Sequence, residues 1–184
     1  MNPWKELYTE LAEKVTTQLP DIKWVDLWHE QVQYLTAELP FPSPAVFIGF
    51  QTVDIEDMGE KVQLCNTQVD FYLFYETFND TYQGAYNQGS ALDFLESLNE
   101  LHAIFHGESG VSYSSMRRLD MKREESGGAG NLYRISFGCS VEDAGAKNKV
   151  REKTATFDQV VIDREQTVIK PSVTDAEPLY AIPD

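Results

Sequence analysis

Few of the residue types that carry chemistry are grouped in a way that chemistry requires. His102-Ala-Ile-Phe-His106 sets two imidazoles four residues apart on one helix face, a spacing that can hold zinc. Ala103 stands where an HExxH motif has its glutamate, and no acidic or cysteine cluster offers an obvious third ligand. Gly127-Gly-Ala-Gly130 precedes a strand instead of opening a helix and lacks the Lys-Ser/Thr of a phosphate loop, so it reads as a hairpin turn. Gly107-Glu-Ser-Gly110 comes nearest to a nucleophile elbow, but its serine is out of place. Cys65 and Cys139 form no CxxC pair and fall at strand positions, where a thiol behaves as a small buried hydrophobe. Acidic residues number 30 in 184, so neighbours such as Glu124 and Glu125 follow from composition alone. The expectation is a protein with no catalytic residue, no cofactor and no metal, which acts through its surfaces.

The elements that must position those surfaces begin with Gln68-Val-Asp-Phe-Tyr-Leu-Phe-Tyr-Glu76. Val69, Phe71, Leu73 and Tyr75 alternate with Gln68, Asp70, Tyr72 and Phe74, the period of a strand buried on at least one face. Tyr72 and Phe74 make the second face half apolar, which suits a strand in mid-sheet or one that meets another subunit. Asn2 and Pro3 start a helix whose stripe is Trp4, Leu7, Leu11, Val15 and Leu19, and Pro20 stops it. Ile22 to Trp28 reads as a short strand, and His29 to Leu39 fits neither period. After the stiff Pro40-Phe-Pro-Ser-Pro44, Ala45 to Asp54 alternates with Val46, Ile48 and Phe50 inward; Asp57 to Glu60 is the expected turn into the central strand.

Asn79 to Gly89 reads as a loop. Ser90 is placed to cap a second helix with Asp93 three residues on, and its expected apolar face is Leu92, Leu95, Leu98, His102 and Phe105, ended by Gly107. A charged strand over Tyr113 to Glu124, a glycine turn and a clear strand over Leu132 to Val141 form a second hairpin. The fold class is therefore α+β: a mostly antiparallel sheet of two hairpins packed with two helices, over residues 1–143. Residues 144–184 hold too few apolar side chains for a core and read as an extended C-terminal arm.

The chain is 42% hydrophobic, has no apolar run near the ~20 residues of a membrane span, and opens without the apolar core of a signal peptide. These features predict a protein kept in a cytoplasm with no membrane partner. A net charge of −15 argues against general or sequence-specific nucleic-acid binding. Residues 1–143 carry 9 basic and 23 acidic side chains, and five of the bases (Arg117, Arg118, Lys122, Arg123, Arg134) fall between 117 and 134. An acidic body with a basic hairpin is complementary to copies of itself.

This order of elements resembles the tail terminator proteins of long-tailed bacteriophages, the lambda-type terminator among them. In that family an "FPAV" strand precedes an aromatic-ended strand, a helix beginning near "LD", a basic "RR" strand and a final strand. The matching stretches are Pro42–Gly49, Gln68–Glu76, Leu92–Phe105, Arg117–Asp120 and Leu132–Val141. The resemblance implies an α/β sandwich in a hexameric ring that caps the tail tube, stops its polymerisation and meets head-completion proteins, without covalent chemistry. Its partners would be itself, the tail tube protein and a neck protein, in a virion assembled in the bacterial host cytoplasm. The arm after Asp143 and the loop Asn79–Gly89 depart from the pattern, which leaves room for a related head–tail connector role. On this reading Arg117, Arg118, Lys122, Arg123, Tyr72 and Phe74 are the candidate oligomer or tube contacts. The rival classes are a small-molecule or peptide binding module using the Tyr72/Phe74 face as a groove, and a hydrolase.

Overall fold

The computed structural model describes residues 2–34, 41–76, 80–127 and 130–147. Helix α1 (Pro3–Gln18) starts because Asn2 Oδ1 accepts the free N–H groups of Trp4 and Lys5, at 3.1 and 3.3 Å. Leu7, Leu11 and Val15 form its buried stripe, and Leu19 closes it just before Pro20. Among the described residues no helix is long and apolar enough to cross a membrane.

Among the described residues five strands form one sheet in the order β1-β2-β3-β5-β4. They are β1 (Trp24–Leu27), β2 (Ala45–Gly59), β3 (Val62–Tyr75), β4 (Arg117–Glu124) and β5 (Asn131–Asp143). Every pairing is antiparallel except β1 on β2. The aromatic-rich strand is thus the middle one, and the class is α+β with two hairpins, as the alternation implies. The parallel β1 adds to that expectation.

Alternation sorts β3 between two environments. Val69, Phe71 and Leu73 join Val46, Ile48, Ile135 and Phe137 in the main core, beneath α1 and α3 (Asp93–Phe105). Phe71 stacks on Phe105 with ring centres 4.4 Å apart. On the far side Phe47, Phe74, Ala45, Leu132 and Val32 make a second, smaller cluster, with Phe41 against it. Full burial of a side chain such as Phe71 is worth about 1.5–3 kcal/mol in transfer free energy.

Three expectations change, and a fourth falls outside the described residues. The α3 stripe is Phe94, Leu98, Leu101 and Phe105, whereas Leu95 is 47% exposed. Two stripes interleave in this helix, and the larger Phe94 ring takes the core side, where it lies 5.5 Å from Tyr133. Ser90 is not its cap: it belongs to a separate turn, α2 (Gln88–Ala91), and α3 begins at Asp93 with Asp93 and Glu96 in its first turn, where the helix dipole favours acids. Strand β2 does not end at Asp54 but runs to Gly59, and the turn is Glu60-Lys61. Both turn residues have left-handed φ, 50° and 65°, the pattern of a type I′ hairpin. The expected arm lies outside the described residues from 148 onward.

Candidate functional site

Among the described residues strand β4 is the last in the sheet and pairs with no strand but β5. Its residues from Arg117 to Arg123 are all exposed. Register divides the expected basic patch between the two faces. Arg117 and Lys122 lie opposite Gly138 and Arg134 on the helix-free side; Arg118 and Arg123 lie opposite Phe137 and Tyr133 on the helix side. A bulge between Arg118 and Asp120 carries Leu119 over Gly138. Lys122 pairs with Glu124 at 3.1 Å. No ion pair ties Arg117, Arg118 or Arg123 to another described residue. These bases therefore form a charged edge, not a single-faced patch.

The edge is held in place at several points. Arg118 donates its backbone N–H to His106 Nδ1 at 3.2 Å, and the His102 and His106 rings sit 4.7 Å apart. Burial, with Arg118 and His106 nearby, keeps the His102 pKa below the usual imidazole value. No group of three His, Cys, Asp or Glu side chains suited to a metal occurs among the described residues. The loop that leads into β4 is tied to α1 by Glu10, whose carboxylate accepts the N–H groups of Val111 and Ser112 at 2.8 and 2.9 Å. Burial pushes the Glu10 pKa up, but those hydrogen bonds and Lys14 outweigh it and hold it below the usual carboxylate range.

A polar network links this edge to mid-sheet. Asp70, 6% exposed, accepts the Ser136 hydroxyl proton and the Gln68 amide at 3.0 and 3.2 Å. Half-buried Arg134 sits between Asp70 (3.9 Å), Asp120 (3.5 Å) and Glu124 (3.3 Å). The Glu124 contact is an ion pair too poorly aligned for a hydrogen bond, since Arg134 Nε has none. Burial works against the guanidinium charge, yet Asp70, Tyr72 and Glu124 more than offset it and raise its pKa. The polar side chains pair chiefly with one another, with Arg134 Nε left without a hydrogen bond. The adjoining depression, about 270 Å³, is bordered by Trp28, Tyr72, Leu132, Glu30, Glu124 and Glu125.

The two aromatic candidates are not free surface. Tyr72 stacks on Trp28 at 4.0 Å, nearly parallel, and Phe74 is 3% exposed with Phe41 edge-on above it. Tyr72 thus meets the depression beside Trp28 with one ring face covered, and Phe74 is buried. Trp28 and Phe41 are the cover; Trp28 ends the segment read as a short strand, and Phe41 lies in the proline-rich lead-in to β2.

The opposite end of the sheet holds what the sequence did not flag. β1 pairs with β2 only over Ala45 to Ile48. Past it, Gln51 to Glu60 is exposed throughout. This stretch carries Asp54, Glu56, Asp57 and Glu60 with no base, together with exposed Val53, Ile55 and Met58. It too has a bulge, between Thr52 and Asp54. Among the described residues the sheet therefore ends in a basic edge on one side and, past β1, an acidic stretch of β2 on the other.

Neither a family model nor a curated protein matches this chain. Among solved structures it is similar to a chain from the virion of a native gene transfer agent particle. The identity is 15%, the match covers 77% of this chain and 92% of that one, and the TM-score is 0.36.

Proposed function

We propose that this protein is a structural component of a phage-like virion, which joins its own copies head to tail into a ring, caps a tail tube and offers a surface to neck proteins. The observation that carries the reading is the pair of unlike edges: a basic β4 at one end of the sheet and an acidic Gln51–Glu60 stretch at the other. Two different patches on one subunit make a heterologous contact, and such contacts close into rings when the rotation between copies divides a full turn. The order of elements in the sequence supports the tail terminator role in particular. On this reading the protein does no covalent chemistry, and the buried Asp70, Ser136 and Arg134 set strand positions.

The full chain examined by electron microscopy and light scattering at low salt is expected to form a closed ring. It is also expected to arrest the growth of purified tail tube protein at a fixed end. A monomer at every concentration, with tubes of unaltered length, overturns the proposal. That result would favour a peptide-binding module instead, since an open strand edge can accept an extended peptide.

A further inference from the structure

Resting on the ring reading above, we infer that the joint between neighbouring copies is a strand pairing: β4 of one copy lies antiparallel along Gln51–Gly59 of the next. Among the described residues no strand lies along the outer side of either stretch, although on β4 a neighbouring strand would have to displace His106 Nδ1 from the Arg118 N–H and the Asp120 carboxylate from the Met121 N–H. Unpaired N–H and C=O rows are templates for another strand, so an exposed edge is either blunted or used. Here the blunting is selective. Two β4 edges set against each other bring Arg117, Arg118 and Arg123 together with their counterparts; two β2 edges do the same with Asp54, Glu56 and Asp57. Only the unlike pairing joins opposite charges. It also covers apolar side chains that the monomer leaves in water: Val53, Ile55 and Met58 on one edge, Leu119 and Met121 on the other.

Topology fixes the direction. β2 and β5 run one way, β3 and β4 the other. Copies in a closed ring share one direction along its axis, so β4 must meet the next β2 antiparallel. Register also demands a stagger. Arg117 is level with Gly138, hence with Gln68 and Gln51, where the open part of β2 starts. The strands must therefore tilt against the ring axis, as they do by about 35–45° when sheets close into barrels.

The test uses the full chain carrying Ile55→Cys and Met121→Cys, one exposed position on each edge, treated with a short bismaleimide. Native Cys65 and Cys139 are buried, and the unsubstituted protein serves as control. The expected result is a denatured ladder from dimer up to the whole ring in the double variant, and monomer alone in either single variant. Rings visible by microscopy but giving no ladder overturn the joint and leave the ring reading standing. Ladders from a single variant overturn it too, because like edges would then be in contact. Absence of any ring from the unsubstituted protein overturns both.

Discussion

On the helix-covered side of the sheet Phe71 lies flat against Phe105, with Phe137 edge-on beside it. One residue earlier on the same strand, Asp70 faces the other way, into Ser136, Gln68 and Arg134. The first side is apolar, closed and indifferent to direction. The second, beside its own smaller apolar cluster, carries a polar and directional network that through Arg134 reaches Asp120 and Glu124 on the edge strand. The contrast separates what makes the subunit fold from what orients its margin. Hydrophobic contact resists unfolding but tolerates small slips; ion pairs and hydrogen bonds contribute less, yet fix where β4 sits.

Substitutions on the two sides should break that contrast unequally. Phe71→Ala removes the ring at the centre of the main core and should cost about 3–5 kcal/mol in urea denaturation. Asp70→Ala leaves Arg134 without its mid-sheet partner. It should cost about 1–3 kcal/mol, and amide exchange should rise chiefly in β4 and β5. Gly110→Ala would place a methyl group inside the van der Waals shells of the Glu10 carboxylate and the Tyr113 ring. The loop before β4 must then shift, at about 1–3 kcal/mol, read as a lower Tm.

Glu10 sharpens the comparison through pH. Its folded pKa lies below the unfolded value, so its contribution is complete above the ordinary carboxylate range and disappears as pH falls through the folded value. Glu10→Gln should therefore flatten the acid limb of a stability–pH profile and leave its neutral limb parallel to wild type. The smallest effect on folding belongs to the edge itself. Arg118→Glu with Arg123→Glu alters exposed side chains and should move stability by no more than about 0.5 kcal/mol. Light scattering should nevertheless show assembly lost, and Asp54→Lys with Asp57→Lys in the same chain should restore it.

The parts of this molecule legible in the sequence are those where burial writes a period. Val69, Phe71 and Leu73 mark the middle strand, Leu7, Leu11 and Val15 the first helix, and Asn2-Pro3 its start. The second helix carried two overlapping stripes, and packing chose between them. The acidic edge was illegible for a physical reason: Asp54 to Gly59 is exposed on both faces, so no alternation records that it is a strand. The basic residues of β4 were visible, but their division between two faces depends on the bulge at Leu119. Asp70 and Ser136 meet across 66 positions, a pairing that only strand register reveals. Phe74 looked outward by parity and is in fact roofed by Phe41.

The clasp between Glu10 and Val111 joins residues 101 positions apart. A growing polypeptide can complete its first helix and the β2–β3 hairpin while the residues beyond Val111 are still unmade. The basic margin, in contrast, has no fixed place until its own hairpin partner β5 has been synthesised and the clasp has shut. Half-made chains would then bear the acidic margin without its complement. If the proposed head-to-tail joint forms, two unfinished chains could not make it with each other, because neither would yet carry the basic margin.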